Sequence, residues 1–246
     1  MTAIVGIACA DGVVIGADSA ATFTAGQHRT IEQPTDKLDI VADQVIVAGT
    51  GQIGMGQRFC AVVRKLWTDG AARNGAIEAV KAFAREAIAD FGSTQAPKGQ
   101  FGALVAFPSG GLPHLCEFAV SDLQPELKSE RLWYVSMGSG QLITDPFLGF
   151  IREVFWDGGR PKLQDAVFAV TWTLDQAVQL NPGGVNEPIC VAVLERASGG
   201  FRARRLSEEE LAQHRENVAA AKAHLREFAA KHQPSAAPTV PEVPRA

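Results

Sequence analysis

Short apolar runs separated by turn residues characterise the N-terminal part of the chain. Residues 3–9 and 13–18 are apolar and rich in β-branched side chains, and Ala10-Asp11-Gly12 lies between them. Two such runs around a turn sequence predict a β-hairpin.

A second hairpin is predicted a little further along the chain. Residues 37–41 and 44–50 are mostly apolar and flank Ala42-Asp43. A polar connection that contains Pro34 joins the two hairpins.

The remainder of the chain combines pairs of helices with groups of strands. Apolar residues recur every three to four positions where helices are predicted, and short β-branched runs bounded by Gly or Pro predict strands. The predicted helices are 57–67, 73–91, 141–156 and 161–180. The further predicted strands are 102–107, 114–120, 132–137, 188–195 and 200–206. The predicted buried face of the second helix consists of Ile77, Val80, Phe83, Ala84, Ala87 and Ile88.

This order favours one particular fold class. Helices and strands that are grouped, rather than interleaved one by one, favour antiparallel sheets with helices on their outer faces. We therefore predict an α+β fold, a four-layer αββα sandwich, within residues 2–206.

The C-terminal part is predicted to be an addition to this sandwich. Ser207 and Glu210 form a capping-box pattern that opens an amphipathic helix over residues 207–232. Its apolar face is predicted to contain Leu211, Val218 and Leu225. Residues 233–246 are rich in Pro and small residues and are predicted to be a flexible tail.

Composition and charge exclude several classes of function. With 46% hydrophobic and 20% charged residues the chain is globular, and a net charge of −4 argues against nucleic-acid or anionic-membrane partners. No apolar run approaches a membrane span and the N-terminus lacks a basic signal stretch, which predicts a cytoplasmic protein. The four cysteines and five histidines are scattered, so neither a metal nor another cofactor is predicted.

The first candidate for chemistry is Thr2, which follows the initiator Met1 directly. Met is generally removed before a residue this small. An N-terminal Thr carries a nucleophile and a base on one residue, because its hydroxyl can attack while its own α-amine accepts the proton. The alternative is an incidental small second residue.

The first hairpin relates Thr2 to a carboxylate. A three-residue loop with Gly12 in the left-handed region pairs Thr2 with Ala20 and Asp18 with Ile4. Thr2 and Asp18 then share a face, with Cβ atoms about 7–8 Å apart. A two-residue loop would place them on opposite faces, and a strand-end Asp that caps its own loop is the alternative reading.

Two further residues could complete a site. Lys37 could lie between Thr2 and Asp18, where the carboxylate keeps it charged and its charge lowers the pKa of the neighbouring amine and hydroxyl. Gly49, at the end of the second hairpin, offers a backbone N–H for an oxyanion. A solvated lysine and an ordinary turn glycine are the alternatives.

The order and spacing of these residues resemble a known family. Thr2, residues 12–22, Lys37, residues 48–51 and Gly138-Ser139-Gly140 resemble the proteasome β-subunit family of N-terminal-nucleophile hydrolases over most of residues 2–195. The resemblance is in particular to bacterial proteasome homologues made without a propeptide, of the HslV and betaproteobacterial types.

The resemblance implies a threonine-type endopeptidase subunit of a self-compartmentalising ring protease. It implies an αββα subunit in a homo-oligomeric double ring, with peptides or unfolded proteins as substrates and an ATP-dependent unfoldase as a further partner. The implied roles are Thr2 as nucleophile and base, Lys37 as activator, Asp18 as its partner, Ser139 as the residue that orients the Thr2 amine, Gly49 as oxyanion donor, and Ala21 and Val47 in substrate binding.

One segment departs from the family pattern. The family's Asp-x-x-Ser-Gly-Gly run corresponds to residues 179–184 here, where Gln179 and Pro182 replace the Asp and the Ser. A non-catalytic ring subunit and an N-terminal-nucleophile amidase acting on a small amide are therefore the competing hypotheses.

Overall fold

Two five-stranded antiparallel sheets form the centre of the fold. A computed structural model describes residues 2–25, 28–156, 159–180 and 184–232. The strands in chain order are β1 (Ile4–Ala8), β2 (Gly12–Asp18), β3 (Ala20–Ala25), β4 (His28–Pro34), β5 (Leu38–Val41), β6 (Val45–Gly51), β7 (Phe101–Ser109), β8 (Leu112–Phe118), β9 (Pro125–Leu127), β10 (Tyr134–Met137), β11 (Ile189–Ala197) and β12 (Gly200–Arg205). The first sheet has the order β10-β1-β2-β11-β12, the second β5-β6-β7-β8-β9, and β3 pairs with β4.

Helices cover the outer face of each sheet. The helices are α1 (Ile53–Thr68), α2 (Ala76–Ser93), α3 (Gln141–Phe155), α4 (Leu163–Leu180) and α5 (Glu208–Lys231), with a short 3₁₀ turn at Ala71–Asn74. Helices α1 and α2 pack on the second sheet, and α3 and α4 on the first. The predicted α+β sandwich with four αββα layers is confirmed.

The two sheets pack directly against each other. A Cβ placed on Gly6 of β1 would lie 2.9 Å from the side chain of Leu104 and 3.2 Å from that of Leu115, both on the opposite sheet. Strands β1 and β2 are buried on both faces, one by this second sheet and the other by α4. Burial on both faces explains why these strands have continuous rather than alternating apolar sequences.

The register of the first hairpin differs from the predicted one. Ile4 pairs with Ala17, and the Cys9 N–H donates to the Gly12 carbonyl at 2.8 Å, so the loop consists of Ala10 and Asp11. The predicted pairing of Asp18 with Ile4 is therefore wrong by one residue. The prediction required Gly12 in the left-handed region, but Gly12 is the first residue of β2 and has no positive φ. A Cβ at this position would lie 2.5 Å from the Leu194 carbonyl oxygen, so the glycine allows β2 to approach β11 closely.

Several other predictions need correction. The connection around Pro34 contains the hairpin β3–β4, and α1 begins at Ile53, before the predicted start. In α2, Ile77 and Ile88 are exposed, whereas Ala79 and Phe91 belong to the buried face. The short strand β9 was not predicted.

Helix α5 begins with the predicted capping box. The Ser207 hydroxyl accepts the Glu210 N–H at 3.2 Å, and the Glu210 carboxylate accepts the Ser207 N–H at 2.8 Å. Leu211 and Val218 are buried in contact with the core, but Leu225 is largely exposed. The predicted tail, residues 233–246, lies outside the described residues. None of the helices in the described ranges is long and apolar enough to cross a membrane.

The packing of β2 against α4 can be tested with a pair of glycine substitutions. A Cβ on Gly16 would lie 2.5 Å from Val170 Cγ1 and 2.8 Å from Leu174 Cδ1, so Gly16→Ala should lower the free energy of unfolding by about 1–3 kcal/mol. Gly149 lies inside α3 with no atom within 4 Å of such a Cβ, so Gly149→Ala should raise it by about 0.5–1 kcal/mol. Urea unfolding measures both. Equal stability of Gly16→Ala and the unmodified chain would contradict the close packing described here.

Candidate active site

A fully buried carboxylate lies where the first sheet ends. Asp18 is the last residue of β2, and its Oδ1 accepts hydrogen bonds from Lys37 Nζ at 2.7 Å and from the Ala3 N–H at 2.8 Å. Its Oδ2 accepts from the Ala20 N–H at 3.2 Å. Three donors, one of them charged, satisfy an ionised carboxylate inside the protein.

Lys37 immediately precedes β5, and its side chain is only 7% exposed. Burial lowers the pKa of this ammonium group, while the charge of Asp18, its hydrogen bond and the charge of Glu32 act to raise it. The net effect is a pKa below that of a solvated lysine. Lys37 is thus a buried, ion-paired cation that releases its proton more readily than a surface lysine.

Thr2 is held through its backbone by the predicted Gly-Ser-Gly sequence. The Thr2 N–H donates to Ser139 Oγ at 3.0 Å, and the Gly140 N–H donates to the Thr2 carbonyl at 3.0 Å. Gly138 has φ +96°, and a Cβ at this position would lie 2.3 Å from the Thr2 carbonyl oxygen. A glycine is required here both by the backbone conformation and by the close approach to Thr2.

The link between Thr2 and Asp18 differs from the predicted one. The observed register places Asp18 beside Ala3, so the two residues do not meet by sharing a face of the hairpin. Instead, the contact is made by Ala3, the residue between Thr2 and the start of β1 at Ile4. The Ala3 N–H donates to the side-chain carboxylate of Asp18 rather than to a backbone carbonyl of a neighbouring strand. Lys37 donates to the same oxygen, which brings its ammonium group next to the residue that follows Thr2.

A network of hydroxyl groups supports the loop that holds Thr2. Ser136 Oγ donates to Asp145 Oδ1 at 2.5 Å, and Thr144 Oγ1 lies 2.6 Å from Ser136 Oγ and 3.3 Å from the Gly140 carbonyl oxygen. Ser136 and Thr144 are buried. The sequence analysis did not identify Ser136, Thr144 or Asp145 as part of the site. One sequence signal was available, because Thr144 is a polar residue at a position of α3 that faces the core.

The predicted oxyanion donor already has a partner. The Gly49 N–H donates to the Lys37 carbonyl at 3.1 Å, so binding of an oxyanion requires this N–H to share or exchange its acceptor. The role of Gly49 stays a prediction.

The two predicted substrate-binding residues lie in different surroundings. Val47 lines a cleft of about 300 Å³ together with Lys37 and Gly49. Ala21 lies on β3 opposite Gln33 and does not line this cleft.

The departure from the family pattern is only partly visible. Gln179 is exposed near the end of α4, and residues 181–183, including Pro182, lie outside the described residues.

Among the side chains that the structure describes, no group of three His, Cys, Asp or Glu is arranged to hold a metal ion.

Comparison with known proteins identifies the family. The family model for proteasome subunits matches residues 2–148, and the chain belongs to the proteasome subunit family. A search among curated proteins found no match.

Solved structures agree on the fold. A structure of an Anbu (Gly-1) mutant from Hyphomicrobium sp. strain MC1 is 14% identical with a TM-score of 0.72, and the alignment covers 96% of this chain and 100% of that one. Anbu (ancestral beta-subunit) from Yersinia bercovieri is 15% identical with a TM-score of 0.66 and the same coverage. At such identities the likeness establishes the fold alone.

The buried ion pair can be tested through its dependence on pH. Asp18→Asn leaves the Lys37 ammonium without its counter-charge and should lower the free energy of unfolding by about 3–5 kcal/mol at pH 7. The pKa of Lys37 should fall further, whereas in the unfolded chain it returns to about 10.4. Between these two pKa values the unfolded chain binds more protons, so stability rises with pH.

Denaturant unfolding at pH values from 7 to about 10 measures this recovery. The double variant Asp18→Asn/Lys37→Met is the control and should show no such recovery, because it lacks the titrating group. A loss of stability in Asp18→Asn that is independent of pH would contradict the assignment.

Proposed function

We propose that the chain is a threonine-type endopeptidase subunit of a cytoplasmic, homo-oligomeric ring protease, activated by removal of Met1. One observation carries this proposal. The Thr2 nitrogen binds Ser139, while the next backbone N–H and Lys37 Nζ bind a single oxygen of Asp18. A reactive N-terminal residue needs its nitrogen oriented and a cation nearby, and these contacts support both roles in the proposal.

The proposed mechanism uses both functional groups of Thr2. After Met1 is removed, the Thr2 nitrogen is an α-amine with a pKa of about 8, so a substantial neutral fraction exists near neutral pH. This amine accepts the hydroxyl proton while Oγ attacks the scissile carbonyl carbon. The proton then passes to the leaving amine as the C–N bond breaks, which leaves an acyl ester on Thr2. A water molecule, activated by the same amine, hydrolyses the ester and regenerates the hydroxyl.

Lys37 and Asp18 support this chemistry electrostatically. The Lys37 ammonium stabilises the alkoxide that develops on Thr2 and lowers the pKa of the adjacent amine. Asp18 keeps Lys37 protonated against the effect of burial, because its charge and hydrogen bond both raise the pKa of the lysine. Ser139 holds the amine in position, and Gly49 supplies an oxyanion N–H after it leaves the Lys37 carbonyl.

Assembly follows from the family. Proteasome-type subunits assemble into oligomeric rings. We propose a double ring of identical subunits that degrades peptides or unfolded chains delivered by an unfoldase. An exposed apolar stripe on α3 supports this assembly: Leu142 is 90% exposed, and Phe150 and Val154, which follow it by eight and twelve residues, are also exposed. Such stripes are typical of surfaces that other chains cover.

The proposal is tested by chemical labelling and hydrolysis. The intact mass should equal that of the chain without Met1, and a peptide epoxyketone, which reacts with a hydroxyl and a free amine on one residue, should add once per subunit. Thr2→Ala should lower peptide hydrolysis at least about 1000-fold, because the attacking hydroxyl is lost although the α-amine remains. Thr68→Ala, which removes an exposed hydroxyl at the end of α1, is the matched control and should leave hydrolysis unchanged.

Each competing hypothesis gives a different result. Rings that lack Met1 but neither react nor hydrolyse peptides would contradict the proposal in favour of a non-catalytic ring subunit. A monomer that hydrolyses a small amide through Thr2, but no peptide, would contradict it in favour of an amidase.

A further inference from the structure

The cleft next to Lys37 lies between the β5–β6 hairpin and the start of α1. Its walls include Lys37 and Val47 from the hairpin, Ile53 and Gln57 from α1, and Phe101 from β7. With a volume of about 300 Å³ it is at the lower end of the range for ligand sites, which suits a single side chain rather than a whole ligand.

The position of the cleft relates it to the substrate. In peptide hydrolysis by Thr2, the residue before the scissile bond carries the carbonyl carbon that is attacked, so its side chain must enter space adjacent to the nucleophile. Lys37 forms a wall of the cleft and also binds the Asp18 oxygen that the Ala3 N–H shares. The cleft therefore borders the candidate active site.

Three charged side chains line the cleft, and two of them are neutralised by partners. Lys37 is paired with Asp18 at 2.7 Å, and Asp36 is paired with Arg205 at 2.8 Å. The third is Asp39, which forms no ion pair with any side chain in the described part of the chain. The lining therefore carries one carboxylate that has no ion-pair partner of its own among the described side chains, although its charge acts on the Arg205 guanidinium.

Two independent observations direct Asp39 into the cleft. Asp39 pairs directly with Val47 in the β5–β6 register, so the two side chains lie side by side on one face of the sheet, the face that packs against α1. Asp39 also acts on Cys60 of α1: burial raises the pKa of that thiol, and the charge of Asp39 raises it further. The side chain of Asp39 is thus on the face of β5 that is directed towards α1, at an exposed position of the cleft lining.

We propose that this cleft binds an Arg or Lys side chain of the substrate, at the residue that precedes the scissile bond, and that Asp39 is the residue that determines this specificity. The inference rests on the proposed peptidase function. Arg and Lys have long aliphatic stems with a charged end, so the stem can contact Val47 and Phe101 while the cationic end binds Asp39. A charge-assisted hydrogen bond to the carboxylate of Asp39 discriminates against neutral and acidic side chains.

Hydrolysis of a matched series of fluorogenic peptides tests the inference. The peptides differ only in the residue before the cleaved bond, which is Arg, Lys, Leu or Glu. The intact ring should cleave the Arg and Lys peptides with a kcat/KM at least about tenfold above that for Leu, and Glu should be the poorest.

Substitution of Asp39 provides the second arm. Asp39→Asn should remove the preference by lowering kcat/KM for Arg at least about tenfold while leaving Leu within about twofold. Asp39→Lys should favour Glu over Arg. Asp43→Asn is the matched control, because it makes the same charge change in the β5–β6 turn, outside the cleft. Retained hydrolysis of the Leu peptide shows that each variant is folded and assembled.

The outcomes separate the two proposals. Cleavage after Leu or Glu that equals or exceeds cleavage after Arg, or an Arg preference that survives Asp39→Asn, would overturn the role of the cleft and leave the peptidase proposal standing. Failure of the unmodified ring to cleave any of the four peptides or to react with the epoxyketone would overturn both.

Discussion

The ion pair between Asp18 and Lys37 is the interaction on which the site depends. It joins four segments: the end of β2, the residue after Thr2, the start of β3 and the residue before β5. A buried ion pair adds little net stability, because desolvation offsets much of the attraction. The ion pair instead favours this one arrangement of the four segments over alternatives, because any arrangement that separates the two charges leaves one of them buried and unpaired.

The fold was largely predictable from local sequence patterns. Continuous apolar strands such as β1 and β2, and the capping box at Ser207, are strong local signals that agree with the final structure. The register of the first hairpin was not predictable, because the sequence pattern assigns Gly12 to the turn, whereas it lies in β2 and permits a close approach to β11, far away in sequence. The hairpin β3–β4 was missed because β3 consists mainly of Ala and Thr and β4 is largely polar, and even Phe23 and Ile31 are exposed, so no run of large apolar side chains marks the two strands.

The candidate site was only partly predictable. The family resemblance brought Thr2, Asp18, Lys37 and Ser139 into one hypothesis, but no sequence pattern could indicate that Asp18 replaces a ladder partner of Ala3. Similarly, the occupied N–H of Gly49 and the contact between Ser136 and Thr144 depend on how separate elements meet. The sequence does not distinguish Asp39 from other polar residues in strands. Its position on the face directed towards α1 follows only from its pairing with Val47.

The way in which Thr2 is anchored has a consequence for the order of events during maturation. Ser139 binds a backbone N–H that is present in an intact Met1–Thr2 peptide bond, and Gly140 binds the Thr2 carbonyl, so neither contact requires a free amine. The surroundings of Thr2 can therefore form completely before the chain is processed. In the proposed function, removal of Met1 would then change the chemical state of one nitrogen while both of these backbone contacts are kept.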